Sequence, residues 1–153
     1  MGMIRGLVAA DAEAVAALIR TAFGAIGVPL DPAPSGLRMS AAAVLAAEGG
    51  AVWEGDDGAT HGCVLWRARD GGLYVNRLAV RPGWQRRGIA RALLAAAEAE
   101  GRARGMSRLV LEVRLALAGN RRLFRVMGFV EVSEQAHAGY AAPTFAVAEK
   151  WLV

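Results

Sequence analysis

At 153 residues, with 55% hydrophobic and 21% charged residues, the chain can bury a sizeable core and is not a disordered tract. No apolar run approaches the ~18–20 residues of a bilayer span, and the start MGMIRGLVAA has neither a signal peptide's basic-then-apolar pattern nor, with Gly6, a myristoylation site. The net charge of +4, carried by 18 basic residues of which all but Lys150 are arginine, suits an anionic partner, although a GC-rich genome gives the same arginine bias. The expectation is one domain over residues 1–153, cytoplasmic, with no membrane partner.

In chain order, MIRGLVA (3–9) reads as a strand. DAEAVAALIRTAF (11–23) follows with Val15, Leu18, Ile19 and Ala22 at i, i+3, i+4 and i+7, an amphipathic helix that Asp11 could cap. The proline- and glycine-rich 24–36 is a loop. Ser40 can cap a short helix 41–48, stopped by Gly49-Gly50. AVWEG (51–55) and THGCVLWRAR (60–69) are strands around a DDGA turn, and DGG leads into the strand LYVNRLAV (73–80). Cys63, the one cysteine, excludes an internal disulfide and a cysteine-based zinc cluster; in a strand it is expected to be buried and inert. An alanine-rich helix is predicted over 86–104, then the strand SRLVLEV (107–113), the helix GNRRLFRVM (119–127) stopped by Gly128, and the strands 129–135 and 144–153. This β-α-α-β-β-β-α-β-α-β-β order makes an α/β (α+β) domain, with a mixed, mostly antiparallel sheet of about seven strands and about four helices. His61 and His137 have no partner at metal-ligand spacing, so no metal is expected. The four tryptophans read as core or substrate wall. Arginines spread along the whole chain make no aromatic-interleaved basic face, so nucleic acid is not expected.

Between the strand ending at Val80 and the next helix lies Arg81-Pro82-Gly83-Trp84-Gln85-Arg86-Arg87-Gly88-Ile89-Ala90. A helix start leaves about four N–H groups unpartnered and carries a partial positive charge. Gly88, lacking a Cβ, lets an anion approach those groups, and Arg86, Arg87 and Arg91 add charge: an anion cradle suited to phosphate. Neither G-x-G-x-x-G nor G-x-x-x-x-G-K-[ST] is present.

Leu78-Ala79-Val80, Pro82, Gln85-Arg86-Arg87-Gly88-Ile89-Ala90 and Leu93-Leu94, with LVLEV and NRRLFRVMGF further on, resemble the fingerprint of the GNAT family of N-acetyltransferases. The resemblance runs from about residue 50 to 135. It implies acetyl-CoA as co-substrate, with its pyrophosphate on the amides of Arg86, Arg87, Gly88, Ile89, Ala90 and Arg91. The pantetheine arm would lie between splayed strands 73–80 and 107–113, bonded to the backbone of Leu78, Ala79 and Val80, with Asn120 and Phe124 completing the cofactor site. The Leu78 N–H would meet the oxyanion developing on the thioester, a type of donor commonly contributing ~10²–10³ in rate. The resemblance also implies a base, Glu112, because LEVR occurs in the branch of the family that acetylates ribosomal protein N-termini. A place in an apolar strand beside the cleft suits a carboxylate to take a proton. The other reading is a solvent-facing glutamate paired with Arg108 or Arg114, with Tyr74 or a water chain as base.

The family's acidic tyrosine, five residues before the Phe of Gly-Phe, falls on Phe124, which has no proton to give. Its asparagine falls on Leu117, leaving Asn120 displaced, as a helix cap. Tyr140 is a stand-in for the acid, or an ordinary amphipathic side chain. The acceptor pocket would be lined by 24–40 and 133–145, which show no anionic cluster for a polycation. That leaves a small-molecule amine or a peptide or protein α-amine as acceptor, and a homodimer open. The alternative function is a non-catalytic acyl-CoA sensor with the same fold.

Overall fold

The computed structural model describes residues 1–152. Seven strands, β1 (Gly2–Gly6), β2 (Gly49–Gly55), β3 (Thr60–Arg69), β4 (Gly72–Val80), β5 (Arg108–Arg114), β6 (Val130–Gln135) and β7 (Phe145–Trp151), form one sheet in the order β1-β2-β3-β4-β5-β7-β6. Four helices flank it: α1 (Ala12–Gly24), α2 (Ala41–Leu45), α3 (Ile89–Ala103) and α4 (Ala118–Val126). Only β4 and β5 pair in parallel, so the sheet is mixed and mostly antiparallel, in the predicted element order. Val153, the last residue of the final predicted strand, lies outside the described residues.

Strand alternation builds a core on each face. On one face Val15, Leu18 and Ile19 of α1 pack on Val52, Cys63 and Leu65, and on the other Leu93, Leu94 and Ala97 of α3 pack on Val64, Trp66, Leu73 and Leu109. The α1 stripe is therefore the predicted one. Cys63 is fully buried, and burial pushes its thiol up to about 12. The expectation for Trp151 fails: it is 62% exposed at the end of β7, with Arg108 over its ring at 5.7 Å.

Three local expectations are corrected. Asp11 does not cap α1: its carboxylate accepts from the Val8 amide and from both terminal nitrogens of Arg5, each at 2.9 Å. The half-buried guanidinium outcompetes a helix-end amide for the carboxylate. Ser40 does cap α2, accepting from the Ala43 amide at 3.1 Å, but that helix ends at Leu45, and Gly49 and Gly50, the expected stop, open β2 instead. The long helix begins at Ile89, not near Arg86. Arg86 and Gly88 have φ of +63° and +81°, left-handed values that end helical continuity.

β4 carries the irregularity that positions the site. Its register against β3 slips between Cys63 and Leu65, where Arg77 stands with φ +51°, an extra residue of the bulge type. Slipping one residue exchanges faces. Leu73 and Val75 before the bulge face α3, and Ala79 after it faces α1, with Leu78 and Val80 now on the α3 side. The bulge bends β4 away from β5, and the two strands pair only at Leu73–Leu109 and Tyr74–Val110. Beyond Tyr74 they splay.

Candidate active site

The loop from Arg81 to Gly88 is fixed at its entrance by His61. The Arg81 amide donates to the His61 carbonyl at 2.8 Å, Arg81 Nε donates to His61 Nδ1 at 3.1 Å, and the imidazole stacks on Trp84 with centroids 3.7 Å apart. With Nδ1 accepting, the network assigns the proton to Nε2, which donates to Asp57 at 3.0 Å. Arg87 lies over the outer face of Trp84, 4.5 Å from its ring centroid. His61 was predicted only to lack metal partners; its scaffolding role has no sequence signal, because the contacts come from β3, β4 and the loop together.

Past Trp84 the loop presents main-chain donors. Trp84 bonds back to Arg81, and the first bond of α3 is Ala92 N–H to Gly88 O, 3.0 Å. Among the described residues, no protein group accepts from the N–H groups of 85–91. The place where a Cβ would stand on Gly88 has no protein atom within 4 Å. The amides open on a cleft of about 490 Å³ that runs along Leu78–Val80 to α4. Arg86 and Arg91 line it, whereas Arg87 is occupied by Trp84 and Gly83. Ile89 contributes its amide only, its side chain being 2% exposed in the core.

A second cleft, of about 360 Å³, joins the first at Phe23, Ile26, Leu78, Leu117, Asn120 and Phe124. Its floor is the α1-side face of β4 and β5, beyond the edge of α1, with Tyr74 and Asn76 on one strand and Glu112 and Arg114 on the other. Leu30, Pro34 and Ser35 from the α1–α2 loop and His137 and Phe145 from the β6–β7 hairpin wall it, so the stretches 24–40 and 133–145 do meet at one cleft. The two walls touch where the Tyr140 hydroxyl donates to Asp31.

The sequence of one acetyltransferase family accounts for most of the chain: the model of the acetyltransferase (GNAT) family matches residues 13–129. The chain belongs to the GNAT family. Solved structures share the fold of this GNAT acetyltransferase over nearly its whole length. The ribosomal-protein-S18-alanine N-acetyltransferase of Escherichia coli superposes with a TM-score of 0.78 at 21% identity, covering 99% of this chain and 94% of that one. The PaiA N-acetyltransferase of Thermoplasma acidophilum, in complex with coenzyme A, gives 0.78 at 17% identity, covering 99% of each chain. Nourseothricin acetyltransferase gives 0.75 at 26%, covering 98% of each. No curated protein matches the sequence.

In this GNAT chain Glu112 is not enclosed. It is exposed at the cleft rim, and its carboxylate accepts from Arg69 at 3.4 Å rather than from Arg108 or Arg114. Of the two readings of Glu112, its exposure matches the solvent-facing one, with Arg69 in place of the expected partner: Leu109, Leu111 and Val113 of β5 face the core, and Glu112 alternates outward. Tyr74 stands beside it, half-buried, with Arg69 and Arg67 over its ring at 4.7 and 5.0 Å. Burial first, and the Glu112 carboxylate second, raise the phenol above its ordinary value. The phenol beside Glu112 is thereby held more firmly to its proton and stands as a hydrogen-bond donor. Phe124 is 9% exposed and meets Phe129 edge-on at 6.0 Å. Asn120 lies inside α4, whose N-cap is Leu117, so it does not cap the helix; it lines both clefts instead. Tyr140 lines neither cleft, and its hydrogen bond to Asp31 is the main cause of a raised pKa. Arg67 and Arg77 were not singled out in the sequence, Arg114 only as a partner for Glu112 and His137 only as lacking metal partners, yet all four line the second cleft. Alternation along RLVLEVR could have placed Arg114 beside Glu112; nothing local could have placed Arg77, which sits on the bulge.

Proposed function

We propose that this acetyltransferase takes acetyl-CoA as its co-substrate and moves the acetyl group directly to a primary amine of a small molecule or a protein N-terminus. The observation that carries this reading is the run of unpartnered N–H groups at 85–91, contiguous with the unpaired gap between β4 and β5. The residues fit the group. Open space at Gly88 admits a phosphate to the amides, Arg86 and Arg91 neutralise its charge, and the gap offers main-chain groups to an extended amide-bearing arm.

An acetyl carried along that gap would sit at Leu78, the residue shared by both clefts, where the N–H supports charge developing on the carbonyl oxygen. The acceptor enters from the second cleft. Glu112 at its rim takes a proton from the incoming ammonium, directly or through water, since an exposed carboxylate shares its site with solvent. The departing thiolate has a pKa of roughly 8.5 if it resembles cysteine, so it leaves tolerably without an acid, and the Tyr74 hydroxyl on the same face can donate a hydrogen bond. The test is a thermal shift with acetyl-CoA, followed by free-thiol release with an amine panel. Stabilisation plus amine-dependent thiol release is the expected result, and neither occurring would overturn the reading. A second reading, a non-catalytic acyl-CoA sensor, is favoured by Phe124 standing packed where the family's phenol would be; stabilisation without turnover across the panel would select it.

A further inference from the structure

Resting on that transferase reading, we infer that the acceptor is a small amine that carries a carboxylate on an apolar body, an amino-acid-like zwitterion rather than a polyamine or an aminosugar. The second cleft has Arg67, Arg77 and Arg114 in its lining against a single carboxylate, Glu112. At its margin Arg69 and Asp31 add one charge of each sign and bind Glu112 and Tyr140. The balance stays positive, and a cationic substrate would enter against it.

Arg114 is the decisive group. It is half-buried at the end of β5, and among the described residues its guanidinium makes no hydrogen bond or ion pair. Burial lowers its pKa, partly opposed by Tyr140 and Asp31, as expected where a charge has been drawn out of water without a full counter-charge. A ligand carboxylate would offset that cost, and the planar fork of arginine matches it in bidentate fashion. Arg77 donates to Ser35 at 2.7 Å through one terminal nitrogen, leaving its other donors for the cleft, and Arg67 stacks on Tyr74 without a hydrogen bond. The rest of the wall is apolar: Ile26, Leu30, Leu117, Phe124 and Phe145. A carboxylate on the arginines leaves the amine to point at the Leu78 junction and at Glu112, the only negative lining group.

The experiment compares matched sets: leucine, methionine and phenylalanine, their α-amides, and the corresponding decarboxylated amines. Turnover is followed as thiol release, and binding separately by calorimetric titration into the CoA-loaded protein. The expected result is at least about 10-fold higher kcat/KM for the free amino acid than for its amide or amine, arising chiefly in KM. Arg114→Gln should collapse that ratio to within about 2-fold with an unchanged melting temperature, and Arg114→Lys should restore part of it. Equal rates for acid, amide and amine, or a ratio unchanged in Arg114→Gln, would overturn the inference. If nothing turns over, binding decides it: amino acids that bind the CoA-loaded protein more tightly than their amides, and lose that margin in Arg114→Gln, support it, and equal or absent binding overturns it. Loss of acetyl-CoA stabilisation would instead strike at the transferase reading.

Discussion

Phe124 fills, with a hydrocarbon edge, the point at which the two clefts meet. Phe124→Tyr adds a hydroxyl that must find a partner, and the open junction gives it one. The expected outcome is a fold of unchanged stability with kcat retained or raised, by less than the ~10²-fold or more that an evolved general acid contributes. A severe loss of kcat in a folded variant would make Phe124 a packing wall for the acyl arm. Glu112 can be tested through the acceptor's own titration. A lysine-like amine, pKa roughly 10.4, costs ~4 kcal/mol to deprotonate at pH 7.4, whereas an α-amine at roughly 7.7–8 costs less than ~1. With an α-amine acceptor, Glu112→Gln should lower kcat/KM mainly below about pH 8 and converge with the parent above it; superimposable profiles across pH 6–9 would remove Glu112 from the chemistry. Gly88 stands at φ +81°, so Gly88→Ala should cost about 1–2 kcal/mol of stability and also place a methyl group in the cradle. A melt with and without acetyl-CoA separates the two effects, and an unchanged ligand-induced shift would misplace the phosphate. The glycine, the Leu78–Val80 run and Glu112 were all legible as letters in a motif. The exposure of Glu112 was not, because the face a strand residue takes depends on its neighbours' register. The cap role given to Asp11 failed for a related reason: Arg5 reaches it across the β1–α1 connection, a contact no local pattern announces.

At the level of elements, the helix α3 is held onto β3 by the absence of a side chain. A Cβ on Gly62 would stand 2.6 Å from Ile89 Cγ2 and 3.1 Å from Leu93 Cδ1. Gly62→Ala should therefore push the first turn of α3 outward, costing about 1–3 kcal/mol by overpacking, and should weaken acetyl-CoA binding because that turn carries the amides at Ile89–Arg91. Chemical denaturation and a ligand titration on the same variant check both halves; lost stability with intact affinity would uncouple the turn from the site. The strands and helices themselves were readable because period 2 and period 3.6 persist over five or more residues. What the periodicity hid was the bulge. LYVNRLAV alternates smoothly enough to pass for a regular strand, yet Arg77 at φ +51° shifts everything after it to the opposite face. The alanine-rich 86–104 likewise has helix propensity at most positions, Gly88 and Gly101 aside, and the left-handed Arg86 and Gly88 hold its first residues out of α3 as a loop.

Across the whole molecule, ion pairs tie the layers to one another. Arg5–Asp11 joins β1 to the start of α1, Lys150–Glu98 joins β7 to α3, and Arg121–Glu131 joins α4 to β6. Asp11, Glu98 and Glu131 each have a lowered pKa, with the hydrogen bond from the cationic partner as the leading cause. A depressed carboxylate contributes its full stabilisation above its unfolded value, roughly 3.9–4.3, and loses it as the pH falls through its folded value. Stability should accordingly hold from neutrality down to about pH 5 and then drop on further acidification. Asp11→Ala, which removes a buried charge-assisted contact, should cost about 1.5–3 kcal/mol at pH 7 and flatten that acid limb; melts over pH 2–7 would show it, and an unchanged limb would refute it. The gap between β4 and β5 has a further consequence. A sheet open in its middle has an internal seam, where Val75–Val80 and Leu111–Val113, paired on their outer edges with β3 and β7, lack a strand neighbour on the edges that face each other. A ligand arm rich in amides would act there as a strand of foreign covalent chemistry, knitting a three-stranded ribbon, β5-β7-β6, to the other four. Domain halves that share one backbone ladder only at Leu73–Leu109 and Tyr74–Val110 should breathe against each other until that strand arrives. Amide hydrogen exchange along the seam should be fast in the free protein and slow by an order of magnitude or more once acetyl-CoA is bound, making the co-substrate the last piece of secondary structure the fold acquires.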